Sequence, residues 1–199
     1  MVDSNVTTPL PLWEGQGGGS LYFISLGPGA AEMVTLGTLR FLRDAQKVYC
    51  FAVGESSRAA EIIAQLDIDQ SKVTTVKVPM LHDHEKANAV YDELASTIRN
   101  QHEAGMNIAV ATEGDSGIFA TTHYVMDRLM EMDVECEQTP GIPSFIAAAS
   151  IAGLHLVKLQ ERLLVIPGKI SAEEILRLTS EGYNFVIMTI YTAARSRNS

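Results

Sequence analysis

The stretch LYFISLGPGAAEMVTLGTLRFL, Leu21 to Leu42, decides how the chain is read. Leu21–Leu26 is a strand-like apolar run that breaks at Gly27-Pro28-Gly29. Leu36, Leu39 and Leu42 then recur at helical spacing, with Thr35 where an N-cap belongs. Strand, glycine turn and helix in that order form the local unit that holds a ligand at the carboxyl end of a strand in α/β proteins.

The same alternation continues outward. Strand patterns are predicted at Lys47–Val53, Lys72–Val78, Met106–Thr112, Val134–Gln138, Arg162–Ile166 and Tyr183–Thr189. Between them lie helix patterns at 57–66, from Glu85 to about Glu103, at 123–132, at 145–154 and at Ala172–Leu178. In the Glu85 helix, Ala87, Val90, Leu94 and Ile98 share one side. Such alternation predicts an α/β fold with a mainly parallel sheet. Residues 1–20, rich in Pro, Gly, Ser and Thr, read as a flexible lead. They lack the basic start and apolar core of a secretory signal.

Of the 199 residues 46% are hydrophobic and 20% charged, and no apolar run approaches the roughly 20 residues of a membrane helix. The net charge of −9 argues against nucleic acid or an anionic membrane as partner, because such binding rests on basic residues meeting phosphates. Cys50 and Cys136 stand far apart in strand-like contexts and read as buried thiols in a reducing cytoplasm.

Three glycine-containing loops follow strands: Gly27–Glu32, Glu113–Thr122 and Pro140–Ser144. Each taken alone is an ordinary strand-to-helix turn. A dinucleotide fingerprint fails in the first, because Glu32 occupies the place of the third glycine. Pro28 also removes a backbone donor there, and no Gly-Lys-Ser/Thr follows anywhere.

Taken together, the loops resemble the tetrapyrrole methylase family. LGPGAAEMVTLGTLRFLRDA resembles its first loop and helix, EGDSGIFATT its Gly-Asp-Pro loop, and TPGIPSFIAAASIAGLHL its Pro-Gly-Ile/Val-x-Ser helix start. VPMLHD and QERLLVIPGKI are similar to the branch that methylates precorrin-2 or cobalt-factor II at C20 in cobalamin biosynthesis. The resemblance implies a two-domain class III methyltransferase fold: an N-terminal domain at 21–139 and a shortened second domain at 140–199. It also implies S-adenosylmethionine as cofactor, a tetrapyrrole substrate, a cytoplasmic homodimer and no metal. By position, Pro28 would lie beneath the cofactor, with Glu113, Gly114 and Asp115 at its amino-acid end and Ile118 packed against it. Pro143, Ser144 and Met188 would complete the site, and no catalytic residue is assigned.

The chain departs from the family pattern in two loops. Ala30-Ala31 replaces the usual Asp-Pro, and Ser116 replaces a proline, which predicts a looser turn beside Asp115. A family member for another substrate (uroporphyrinogen, another corrin carbon, rRNA) and a degenerate or truncated binder without turnover stay open as alternatives. His82 and His84 flank Asp83 and read as a solvated pair rather than as metal ligands.

Overall fold

The computed structural model describes residues 19–79 and 84–188. The chain divides into two compact units, Met1–Gly141 and Ile142–Ser199.

In the first unit, β1 (Leu21–Ser25), β2 (Lys47–Val53), β3 (Val73–Val78), β4 (Ile108–Thr112) and β5 (Glu137–Gln138) form one parallel sheet in the order β3-β2-β4-β1-β5. The helices are α1 (Leu36–Asp44), α2 (Arg58–Ile63), α3 (His84–Glu103) and α4 (His123–Glu131). From β1 through β2 to β3 the chain steps one way across the sheet, and from β3 through β4 to β5 it steps back. Right-handed crossovers therefore put α1 and α2 on one face and α3 and α4 on the other.

The buried clusters follow that division. Tyr22, Ile24, Leu26, Ala109 and Ala111 pack with Leu42, Ile62 and Ile63 of the α1–α2 layer. Leu21, Phe23, Ile108 and Val110 pack with Leu94, Ile98, Val125 and Leu129 of the α3–α4 layer. Alternate residues of β1 and β4 thus serve opposite layers, which is why both strands read as unbroken apolar runs.

The second unit holds α5 (Ser144–Ile151), β6 (Arg162–Pro167), α6 (Ala172–Ser180) and β7 (Tyr183–Met188). β6 and β7 pair in parallel, Arg162 opposite Tyr183, with α6 as the crossover between them. The Ser171 hydroxyl caps α6 by accepting from Glu174 N at 3.1 Å.

The structure corrects several boundaries. Only Glu137–Gln138 of the expected strand 134–138 pair with β1, and the expected helix at 57–66 shortens to Arg58–Ile63. Leu36 belongs to α1 but is 85% exposed, while Thr38 is fully buried beside Leu42. On α3 the inward face is Tyr91, Leu94, Ala95 and Ile98, with Val90 only half-buried. Tyr91 won that place because it stacks on Tyr124 of α4 at 5.1 Å and meets Phe51 edge-on at 6.0 Å. Trp13, His82 and Asp83, with Thr189 at the end of the last expected strand, lie outside the described residues.

Candidate functional site

β1 and β4 are neighbours whose chains leave toward opposite faces, so the crevice outside their carboxyl ends is the topological switch point of the sheet, where ligands bind in open α/β folds. The first two glycine loops are the loops at this point. They are joined: Gly27 N donates to the Gly114 carbonyl at 3.0 Å, and Gly114 N to the Gly27 carbonyl at 2.7 Å. Both residues have positive φ, 73° and 78°, a backbone form that side-chain-bearing residues rarely adopt. A β-carbon on Gly27 would also stand 2.6 Å from the Met33 carbonyl oxygen.

The third loop enters through Gly141, the last residue of the first unit. Asp115 Oδ2 accepts from Gly141 N at 2.7 Å while its Oδ1 accepts from Gly117 N at 2.8 Å. There is no room for a side chain at Gly141, where a β-carbon would lie 2.4 Å from Ser25 Cβ and 2.6 Å from the Gly114 carbonyl oxygen.

Beneath the loops lies a buried hydroxyl network that the sequence reading missed. The Ser25 hydroxyl donates to the Thr139 carbonyl at 2.6 Å, and Ser25 N donates to Thr139 Oγ1 at 3.1 Å. Ser116 N donates to Ser25 Oγ at 2.8 Å, and the Ser116 hydroxyl accepts from Gln138 Nε2 at 2.9 Å. Thr38 Oγ1 of α1 donates to the Ser25 carbonyl at 3.1 Å. The ends of β1, β4 and β5 are thereby tied to α1. The expectation that Ser116 loosens its turn is therefore corrected: the side chain is 1% exposed and bonded on several sides. The one signal available was a hydroxyl at the end of an apolar strand, Ser25.

The expected cofactor residues divide between the units. Pro28, Glu113, Gly114, Asp115 and Ile118 are brought to the switch point of the first unit, and of these Glu113 is exposed and the others half-buried. Pro143, Ser144 and Met188 belong to the second unit. Pro143 is the N-cap residue of α5, Ser144 opens that helix, and Met188 ends β7, its carbonyl accepting from Gly168 N at 2.7 Å. Sequence reading also passed over Arg58, the first residue of α2, whose Nε lies 3.7 Å from Glu113 Oε1.

Both cysteines are free, with Cys50 fully buried and Cys136 partly so. Burial pushes each thiol up to about 12, with the Glu135 charge adding to the effect at Cys136, so neither is a nucleophile near neutral pH. Among the described residues no group of three His, Cys, Asp or Glu could hold a metal, and no described helix is long and apolar enough to cross a membrane.

Comparison with known proteins gives this geometry its context. A model of tetrapyrrole (corrin/porphyrin) methylases matches residues 20–197. The chain is 30% identical over 175 residues to a cobalt-precorrin-2 C(20)-methyltransferase of Salmonella typhimurium, covering 87% of this chain and 73% of that one. It is 28% identical over 137 residues to a precorrin-4 C(11)-methyltransferase of Rhodococcus erythropolis, covering 69% of this chain and 49%, about half, of the relative. The crystal structure of a cobalamin synthesis related protein (CobF) from Corynebacterium diphtheriae shares the fold, with a TM-score of 0.60 at 20% identity over 85% of this chain and 71% of that one. Because the family match runs through both units and all three loops, the chain belongs to the tetrapyrrole (corrin/porphyrin) methylase family.

Proposed function

We propose that the chain is an S-adenosylmethionine-dependent methyltransferase of cobalamin biosynthesis that acts on a tetrapyrrole, precorrin-2 or cobalt-factor II, at C20. The observation that carries this reading is the pairing of Gly27 with Gly114 at the switch point, in a chain of this family. The C20 position rests on the likeness to the Salmonella enzyme, and the likeness to a C(11)-methyltransferase makes ring position the point to test.

The residues present fit a small cationic donor. Glu113 offers a carboxylate whose side chain is 40% exposed, whereas both Asp115 oxygens already accept backbone N–H groups. Nothing lies within 4 Å of where a β-carbon of Gly114 would stand, so the backbone there is open to a ligand. S-adenosylmethionine, when bound, supplies a methyl group on a positively charged sulfur. Glu113 would hold that charge, and Pro28 and Ile118 would give apolar contact. Asp115 acts through the loops, fixing Gly117 and Gly141 so that donor and acceptor meet in one alignment. Pro143, Ser144 and Met188 remain part of the proposed cofactor site, and a cytoplasmic homodimer remains part of the reading.

Calorimetric titration of the full chain with S-adenosylmethionine tests the first step. Micromolar binding near one site per chain, weakened about tenfold in Glu113→Gln, is expected. A folded protein that shows no binding overturns the reading. With a bound cofactor, incubation with precorrin-2 and a carbon-13 methyl donor reports the methylated carbon by NMR, and a label elsewhere than C20 overturns the ring assignment.

A further inference from the structure

Arg58 opens α2 at the carboxyl end of β2, and its guanidinium reaches back over the first loop. Nη1 donates to Glu61 Oε2 at 2.6 Å, and Nε lies 3.7 Å from Glu113 Oε1, a loose contact. Nη2 stands 3.4 Å from the point a β-carbon on Gly29 would occupy and makes no hydrogen bond among the described residues. The helix start that carries Arg58 is fixed, because buried Ser57 caps it by accepting from Ala60 N. The Arg58 side chain itself is 60% exposed.

The surroundings make this cation unusual. In the loops and first helical turn after β1, β2 and β4, the charged residues are Glu32, Glu55, Arg58, Glu61, Glu113 and Asp115. Arg58 is the one cation among them. At the end of the edge strand β3, Lys77 is gripped by both oxygens of Glu55 at 2.8 and 2.9 Å. Large apolar side chains are exposed at the same edge: Leu36 at 85%, Val53 at 66% and Phe119 at 57%. A ring-shaped ligand with several carboxylates finds apolar surface here, but within those three loops it meets repulsion from every charge except Arg58. A guanidinium fork with one donor spare and another loosely engaged suits a carboxylate better than a point charge would.

We propose that Arg58 recognises a carboxylate side chain of the tetrapyrrole and so orients the macrocycle over the first loop. Glu61 keeps Nη1, while the ligand carboxylate takes Nη2 and competes with Glu113 for Nε. The proposal rests on the methyltransferase reading above.

The test titrates the full chain separately with sirohydrochlorin, a coloured tetrapyrrole whose side chains are carboxylates, and with S-adenosylmethionine. Wild type, Arg58→Gln and Arg58→Lys are compared, with circular dichroism to verify folding. The Kd for sirohydrochlorin is expected to rise about tenfold in R58Q and roughly threefold in R58K, while the cofactor Kd stays within about twofold. Added salt weakens wild-type binding of sirohydrochlorin more than that of R58Q. An unchanged sirohydrochlorin Kd in R58Q, or a loss confined to the cofactor, overturns the role of Arg58 and leaves the methyltransferase reading standing. A folded wild type that binds neither ligand overturns the methyltransferase reading itself, and the role of Arg58 with it.

Discussion

Both units contain a strand, a helix and a second parallel strand, yet the two βαβ elements are buried to very different degrees. In β2–α2–β3, Ala59, Ile62 and Ile63 of the helix are buried, and so are Val48 and Cys50 of the first strand. In β6–α6–β7 only Leu178 of the helix is buried, the strand residues are half-buried or exposed, and Leu176 is 71% exposed. The difference comes from layering. β2 sits inside a sheet covered on both faces, with α1 and α2 on one side and α3 and α4 on the other. A parallel pair with one helix cannot bury its apolar side chains to that extent. The site follows the better-buried unit: the joined loops at Gly27, Gly114 and Gly141 rest on its sheet.

The sharpest way to break this contrast is to delete one large apolar side chain from each unit. Phe23 is 1% exposed at the centre of the first sheet, and Phe23→Ala is expected to cost about 3–5 kcal/mol of unfolding free energy. Leu176→Ala in α6 is expected to cost no more than about 0.5 kcal/mol. Urea denaturation of the two variants measures both, and similar losses would mean that the second unit has a core of its own.

Next in size is the tie between loops. Asp115→Ala removes two charge-assisted hydrogen bonds, to Gly117 N and Gly141 N, and is expected to cost about 2 kcal/mol. The loss should fall on the first unit, with amide exchange at Gly117 and Gly141 accelerating while amides of β6 and β7 keep their wild-type rates. Uniform acceleration in both units would show that they unfold as one body and would erase the distinction between them.

How much of this was legible depends on whether the signal is local. The strands β1, β2 and β4 of the first unit were written as apolar runs, because those three strands are covered on two faces. Thr35 as the cap of α1 was legible too, and its hydroxyl does accept from Thr38 N at 3.1 Å. The three loops at the carboxyl edge could be named from glycine placement. What could not be read was partnership across long sequence separations. Asp115 meets Gly141, Ser25 meets Thr139, and Arg58 leans toward Glu113, and none of these pairs shares a period or a motif. Strand order is of the same kind: β4 inserts between β2 and β1, and that insertion creates the switch point. Tyr91 displaced Val90 from the core face because of Tyr124, a residue more than one element away.

The smallest expected effect uses pH to separate the units chemically. Both cysteines, Cys50 and Cys136, lie in the first unit, so only that unit carries thiols. Burial raises Cys50 from its ordinary 9.0 to about 12 in the folded chain, while the unfolded chain releases the proton near the ordinary value. Below pH 9 both states hold the proton and the thiol makes no difference. Between pH 9 and about 12 the unfolded state binds fewer protons, so stability falls as pH rises. At pH 10 the loss from Cys50 alone is on the order of 1 kcal/mol relative to pH 7. Tyr49 and Tyr91, both raised by burial and both in the first unit, add to the decline as pH passes their ordinary 10.0. Urea denaturation of wild type and Cys50→Ala at the two pH values isolates the Cys50 thiol, because the variant should keep the tyrosine and Cys136 parts of the slope and lose only the Cys50 part. An identical slope in both proteins would mean that Cys50 reaches solvent before the first unit unfolds, so that the better-buried unit opens locally at the strand β2 that carries it.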